Sequence, residues 1–273
     1  MSKLQAVILT GARNSQNPLL IGTGLQSKVL LPVGGQPMVQ RVLETVASTR
    51  YQPSMYISTN DPVVGGLRTS VPFAVIPSEN TAVQSFVKSI ERVQADSESP
   101  WVLFASGDHP LLTAEMIEYF IDDVMRRDLT LGVAVVNKSM VQQHYPRSRR
   151  TYFAVKNGAY SGGNLYLINK PRFLGNTRVL ETIDGNRKAP WKSIKLLDPI
   201  SMAQVAFRQL TMHQVADKAA ELIGCKTGIV DMPFAECCMD VDKPSDKEIA
   251  EIILARRAAV DSPTPVAVAA NPA

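Results

Sequence analysis

The sequence predicts an α/β fold wound around a mostly parallel sheet. Two observations carry this expectation. Short apolar runs bounded by turn residues alternate with longer segments of helical periodicity, and several of those runs end on glycine or a carboxylate. The first strand is expected at Ala6 to Leu9, followed by Ser54 to Ser58, Phe73 to Ile76, Trp101 to Ala105 and Leu131 to Val136. Helices are expected at Met38 to Ser48, Thr81 to Val93 and Thr113 to Arg127. Val39, Val42, Leu43 and Val46 form one apolar face, and Thr113 supplies a good N-cap. Further on, Tyr152 to Val155 and Asn164 to Ile168 read as strands joining the sheet edge. Ser201 to Leu210 and Met212 to Ile223 read as helices, and Ile229 to Met232 and Cys237 to Val241 as the last strands. A final helix, Ser245 to Arg257, would be capped by Ser245 with Glu248 in a capping box.

The chain has 273 residues, enough for a substantial core, and a single domain over 1–257 is expected. Residues 258–273 contain three prolines and nothing to pack, which predicts a disordered tail. Hydrophobic content of 45% and charged content of 20% are those of a globular protein. A net charge of +4 is too small for a nucleic-acid footprint and suits an anionic small substrate. No run approaches the ~18 apolar residues of a membrane helix, and Met1 to Gln5 lack a signal-peptide core, so a cytoplasmic location is expected. Cys225, Cys237 and Cys238 have neither zinc spacing nor a disulfide pattern and read as reduced core thiols. The sequence leaves the oligomeric state open.

Three segments carry chemistry. The strand ending at Leu9 leads to Thr10-Gly11-Ala12-Arg13 and, after a long loop, to Lys28; backbone N–H groups and two cations at a strand end make a phosphate cradle. The strand ending near Ala105 leads to Gly107-Asp108, holding a carboxylate where open α/β sheets bind ligands. In Asp240-Val241-Asp242, both carboxylates would share one face of a strand and could meet Asp108 across the sheet.

With Leu30-Leu31-Pro32-Val33-Gly34-Gly35-Gln36-Pro37-Met38 after Lys28, Gly107-Asp108-His109-Pro110-Leu111-Leu112, Ser161-Gly162-Gly163-Asn164-Leu165-Tyr166-Leu167 and Asp240-Val241-Asp242-Lys243-Pro244 in this order, the chain resembles the MobA-like NTP transferases over about residues 5 to 255. That family is related to the molybdenum-cofactor nucleotidyltransferases and to other sugar-phosphate and polyol-phosphate nucleotidyltransferases. The resemblance implies a Rossmann-like three-layer αβα sandwich of the nucleotide-diphospho-sugar transferase type. It further implies transfer of NMP from an NTP to a phosphorylated or related anionic small molecule, with release of pyrophosphate and with Mg²⁺ as cofactor. Two departures stand out: Gly11-Ala12 replaces the usual glycine pair, and Ser27 replaces the proline before Lys28. The 17-residue interval from Gly11 to Lys28 is longer than the family's usual loop.

By the same resemblance, Lys28 contacts the α-phosphate, Arg13 the β- and γ-phosphates, and Leu9, Thr10, Gly11, Ala12, Gly107 and Asp108 complete the phosphate side of the nucleotide site. Asn80, Thr81, Gln84 and Ser85 read the base or cap a helix. Asp108 and Asp242 are the metal ligands, with Asp240 the alternative second ligand. Lys28, Asp108 and Asp242 form the catalytic set. Arg149, Arg150, Gly163, Asn164 and Lys188 are candidates for the acceptor site, since arginine binds phosphate bidentately. Two competing functions remain at this level. A glycosyltransferase of the same fold usually carries two carboxylates flanking one residue after the central strand, where this chain has only Asp108. A nucleotide-binding protein without chemistry would account for the atypical first loop.

Overall fold

A computed structural model describes residues 4–11, 17–96, 99–173 and 199–261. Ala12 and Arg13, Lys188 and residues 262–273 of the expected tail lie outside the described residues, while 258–261, expected to begin that tail, continue the last helix.

The alternation of apolar runs and helical segments produces a mixed sheet. Strands β1 (Gln5–Leu9), β4 (Ser54–Ser58), β5 (Phe73–Ile76) and β6 (Trp101–Ser106) are parallel neighbours. Between β1 and β4 a two-stranded hairpin, β2 (Pro32–Val33) and β3 (Gln36–Pro37), forms a small separate sheet. The main sheet has eight strands and the order β10-β7-β9-β6-β1-β4-β5, where β7 is Leu131–Asn137, β9 Gly158–Asn169 and β10 Thr227–Asp231. The short β8 (Phe153–Val155) pairs with β9 off this path. Among the described strands of this sheet only β9 runs against the rest. Val7, at the centre of β1, lies in register with Tyr56 on one side and Phe104 on the other, and all three are buried.

The helices cover this sheet with the faces their spacing predicts. Helix α1 (Met38–Ala47) buries Met38, Val39, Val42, Leu43 and Val46. After a short α2 (Pro62–Gly65) comes α3 (Ala82–Asp96), and then α4 (Ala114–Arg126), which buries Met116, Ile117, Phe120, Ile121 and Val124. The Thr113 hydroxyl accepts from the Met116 N–H at 3.2 Å, as expected of an N-cap. Helices α5 (Lys138–His144), α6 (Lys170–Phe173), α7 (Pro199–Ala206), α8 (Met212–Ile223) and α9 (Pro244–Asp261) follow. No helix among the described residues is long and apolar enough to cross a membrane. Cys237 and Cys238 are buried free thiols, and Cys225 is half-buried and free.

Three expectations need correction. The strand around Asn164 to Ile168 is not at the sheet edge: β9 starts at Gly158 and lies between β6 and β7. Its Gly162-Gly163-Asn164 stretch mimics a turn but is a bulge, where the register shifts between Val133 and Val135 of β7. Cys237 to Val241 does not form a strand; Ala235–Cys238 is a 3₁₀ turn followed by irregular chain. Its apolar side chains are buried all the same, because a short apolar run reports burial and not backbone shape. Finally, α9 starts at Pro244, so Ser245 is inside the helix. Pro244 fills the first helical position, and the Asp246 carboxylate caps by accepting from the Asp242 and Lys243 N–H groups at 3.2 Å each.

Candidate active site

The chain runs from β1 to β4 and β5 on one side, then returns to set β6 on the other side of β1. Such a reversal opens a crevice at the carboxyl ends of the strands. Here the crevice is a cavity of about 470 Å³ lined by Leu9 at the end of β1 with Thr10 and Gly11 beyond it, Ser58 at the end of β4, and Ser106 at the end of β6 with Asp108 beyond it. Gly11 has φ +70°, a conformation that favours glycine. The Thr10 hydroxyl donates to the Ser58 carbonyl at 2.8 Å, and the Gly107 N–H donates to the Leu9 carbonyl at 2.8 Å, so the three strand ends are tied together.

From the start of α3, Asn80, Thr81 and Ser85 line the cavity. Thr81 acts as a cap, its hydroxyl accepting from the Gln84 N–H at 3.1 Å, while the Gln84 residue is exposed and does not line the cavity. The buried Ser85 hydroxyl accepts from the Glu79 N–H at 2.9 Å and shapes this loop from within. Asn164, in the β9 bulge with φ +53°, and Tyr166 line the same cavity.

Lys28 opens a 3₁₀ turn, Lys28–Leu30, anchored by the buried Val29 and Leu30 and by the Met38 N–H donating to the Leu31 carbonyl at 3.1 Å. This anchor fixes the root of the lysine while its ammonium enters the cavity. The ammonium lies 2.6 Å from Asp108 Oδ2 and also pairs with Asp242 Oδ1. Burial disfavours its charge, but Asp108 and then Asp242 outweigh burial and raise its pKa above the usual lysine value. The Ser106 hydroxyl donates to the other Asp108 oxygen.

Carboxylate oxygens of Asp108, Asp240 and Asp242 lie within 4.8 Å of one another. They converge without a strand at 240–242. The Val241 N–H donates to the Asp108 carbonyl at 2.9 Å, and His109 Nε2 donates to the Glu236 carbonyl at 2.9 Å; these bonds draw the two segments together. Burial first, and then repulsion from Asp108 and Asp242, raises the pKa of Asp240 to about 6. The buried Arg150 side chain meets this group. Its Nη1 donates to Asp240 Oδ1 at 2.8 Å, and its Nη2 pairs with Asp246.

Two acceptor candidates are therefore placed differently from expectation. Arg150 has a side chain only 5% exposed and is occupied by carboxylates, so it does not present itself to an acceptor. Gly163 is buried, and a Cβ there would come 2.8 Å from Ala134 Cβ and 3.0 Å from Cys237 Sγ; it permits the 3₁₀ turn to pack on β9. Arg149 is exposed beside the Asp242 turn, its carbonyl accepting from Lys243 Nζ at 3.3 Å. Ser58, Ser106, Tyr166, Asn17 and Leu20 also line the cavity and were not anticipated. The serines could have been found as the last residues of two parallel strands.

The sequence pattern of the MobA-like NTP transferase domain matches residues 6–170. The chain belongs to this family. Among solved structures, this NTP transferase domain is similar to a hypothetical transferase from Thermus thermophilus, with TM-score 0.77, 26% identity, and coverage of 90% of this chain and 100% of that one. Two more distant likenesses show the fold alone. One is a CMP:2-keto-3-deoxy-manno-octonic acid synthetase complexed with CTP, with TM-score 0.58, 15% identity and coverage of 94% and 100%. The other is a 4-diphosphocytidyl-2C-methyl-D-erythritol synthase from Anaerococcus prevotii, with TM-score 0.58, 11% identity and coverage of 93% and 99%. No curated protein matches the chain in sequence. The family match ends before Asp240 and Asp242, so those two carboxylates join the site through the fold of the C-terminal third.

Proposed function

We propose that the chain is a nucleotidyltransferase that moves NMP from an NTP to an anionic small-molecule acceptor. An acceptor oxygen attacks the α-phosphorus in line, the bond from that phosphorus to the β-bridging oxygen breaks, and pyrophosphate leaves. The observation that carries this reading is the pairing of Lys28 with Asp108 and Asp242, with Asp240 in the same carboxylate group, at the switch-point cavity that Lys28 and Asp108 line.

The donor set suits a hard cation. Among the described residues, Asp108, Asp240, Asp242 and Asp246 form ion pairs with two cations, Lys28 and Arg150, an excess of negative charge that offers oxygen ligands alone. Mg²⁺ bound by Asp108 with Asp242 or Asp240 would neutralise phosphate charge. The remaining work falls to the protein. Lys28, protonated and aimed into the cavity, stabilises charge developing on the α-phosphate. The backbone of Thr10 and Gly11, just after β1, is assigned to the phosphates, and Asn80 and Thr81, which line the same cavity, are assigned to the base edge. Arg13 and Lys188, which lie outside the described residues, are assigned to the triphosphate and the acceptor from the sequence alone. Asn164 and Arg149 are the described residues assigned to the acceptor.

The test is a pyrophosphate-release screen of the four NTPs against phosphorylated acceptors with Mg²⁺ present. Release that requires both an NTP and an acceptor is expected. Turnover of a nucleotide sugar with no pyrophosphate formed would replace this function with glycosyl transfer. If NTP binds and no acceptor gives release, a nucleotide-binding protein without chemistry is the better description. Charge removal at Arg149 is expected to raise the acceptor KM and weaken its salt dependence, leaving the KM for NTP nearly unchanged.

A further inference from the structure

Arg150 uses all three guanidinium nitrogens inside the protein. Nε donates to the Ser148 hydroxyl at 3.3 Å, Nη1 donates at 2.8 Å to both the Asp240 carbonyl and Asp240 Oδ1, and Nη2 donates to Asp246 Oδ1. Asp246, whose side chain is 3% exposed, passes the connection on, since its second oxygen accepts from the backbone N–H groups of Asp242 and Lys243. One buried guanidinium thus reaches Asp240 directly and Asp242 through Asp246. It enters from the segment between α5 and β8, far in sequence from either carboxylate.

Lys28 stands on the cavity side of the same group and holds Asp108 and Asp242. The two cations divide the work: Lys28 lines the cavity and can exchange its carboxylates for a phosphate, whereas Arg150 is buried, does not line the cavity and cannot. Three carboxylates within 4.8 Å repel one another and need a counter-charge that stays when Lys28 moves. We infer that Arg150, with Asp246, is a positioning residue that fixes Asp240 and the Asp242 turn in the geometry a divalent cation and the nucleotide require. This inference rests on the nucleotidyltransferase reading above and assigns Arg150 a role other than acceptor binding.

The experiment measures Mn²⁺ binding without nucleotide, by electron paramagnetic resonance of the free ion, alongside pyrophosphate release and circular dichroism of the folded protein. In Arg150→Lys one ammonium cannot span Asp240 and Asp246 as the planar fork does. In Asp246→Asn a single carbonyl oxygen must serve both Arg150 and the two backbone donors, so one connection is lost. Each variant is expected to keep its fold and to lose roughly 10- to 100-fold in Mn²⁺ affinity and in kcat, the usual cost of removing a group that orients a metal ligand. The KM for NTP should change less. Should Arg150→Lys fail to fold, the double variant Arg150→Met with Asp246→Asn removes the buried ion pair and is the one to measure. Any of these variants that folds and binds Mn²⁺ like the wild type overturns the role of Arg150 alone. A wild-type protein that binds no Mn²⁺ and releases no pyrophosphate overturns the function itself, and Arg150 is then a structural ion pair.

Discussion

The ammonium of Lys28 is held by Asp108 and Asp242 in a half-buried setting that would otherwise disfavour its charge. Its ion pairs explain why it stays protonated, and its place at the cavity explains what the charge is for. Lys28→Ala is expected to lower kcat on the order of 10²- to 10³-fold, the cost of losing a positioned charge in a transition state. NTP affinity should fall less. The same variant should bind Mn²⁺ more tightly in the absence of nucleotide, because the competing cation on Asp108 and Asp242 is gone. Opposite signs in the two measurements would distinguish Lys28 from a residue that merely holds the site together; unchanged kinetics would remove it from the reaction. Asp108→Ala is expected to abolish metal-dependent turnover with the fold intact by circular dichroism. Comparing Asp240→Ala with Asp242→Ala then identifies the second ligand as the one whose loss costs more.

Where β9 passes the cavity, two adjacent positions do different work. Gly163 packs against Ala134 and Cys237, and Asn164 turns into the cavity with φ +53°. Gly163→Ala puts a methyl into a closed contact and is expected to cost about 1–3 kcal/mol in urea denaturation. Asn164→Gly relieves the left-handed backbone, so it should hold or raise stability while lowering turnover through loss of the amide. If turnover is unchanged, the Asn164 side chain has no part in the reaction. The same stretch shows what the sequence could and could not convey. Strands β1, β4, β5, β6 and β7 were legible because strands covered by helices become apolar runs between turn residues. The sequence starts β9 late, at Asn164, because the glycines of its bulge break the apolar pattern, and puts it at the edge because no local pattern records that β6 and β7 flank it. The meeting of Asp108 with Asp240 and Asp242 was legible, although through a strand that does not exist. Arg150 was singled out for its charge, but its partners Asp240 and Asp246 lie about 90 residues away, and no local pattern records such a pairing.

Across the whole molecule, the turn after β6 joins the site to the C-terminal third, and two groups on this joint respond to acid in opposite directions. His109 is fully buried, and burial lowers its pKa from 6.5 to about 4. Between those values the unfolded chain binds a proton that the folded protein refuses, so stability rises with pH and is lost on acidification, by about 3 kcal/mol at the low end. Asp240 has the opposite sign. Its pKa is raised from 3.8 to about 6, chiefly by burial, so within that window the folded protein binds the extra proton and acidification favours folding. The two effects offset each other, and the wild-type stability measured by urea denaturation with a chelator present is expected to change little from these groups between pH 7 and pH 4.5. Single variants separate them. His109→Gln, which keeps a donor for the Glu236 carbonyl, should make the protein gain stability relative to its own pH 7 value as pH falls. Asp240→Asn should leave the histidine unopposed and steepen the acid loss. Parallel pH profiles for the wild type and both variants would show that neither group couples folding to protons, and the electrostatic description of this joint would then have to be abandoned.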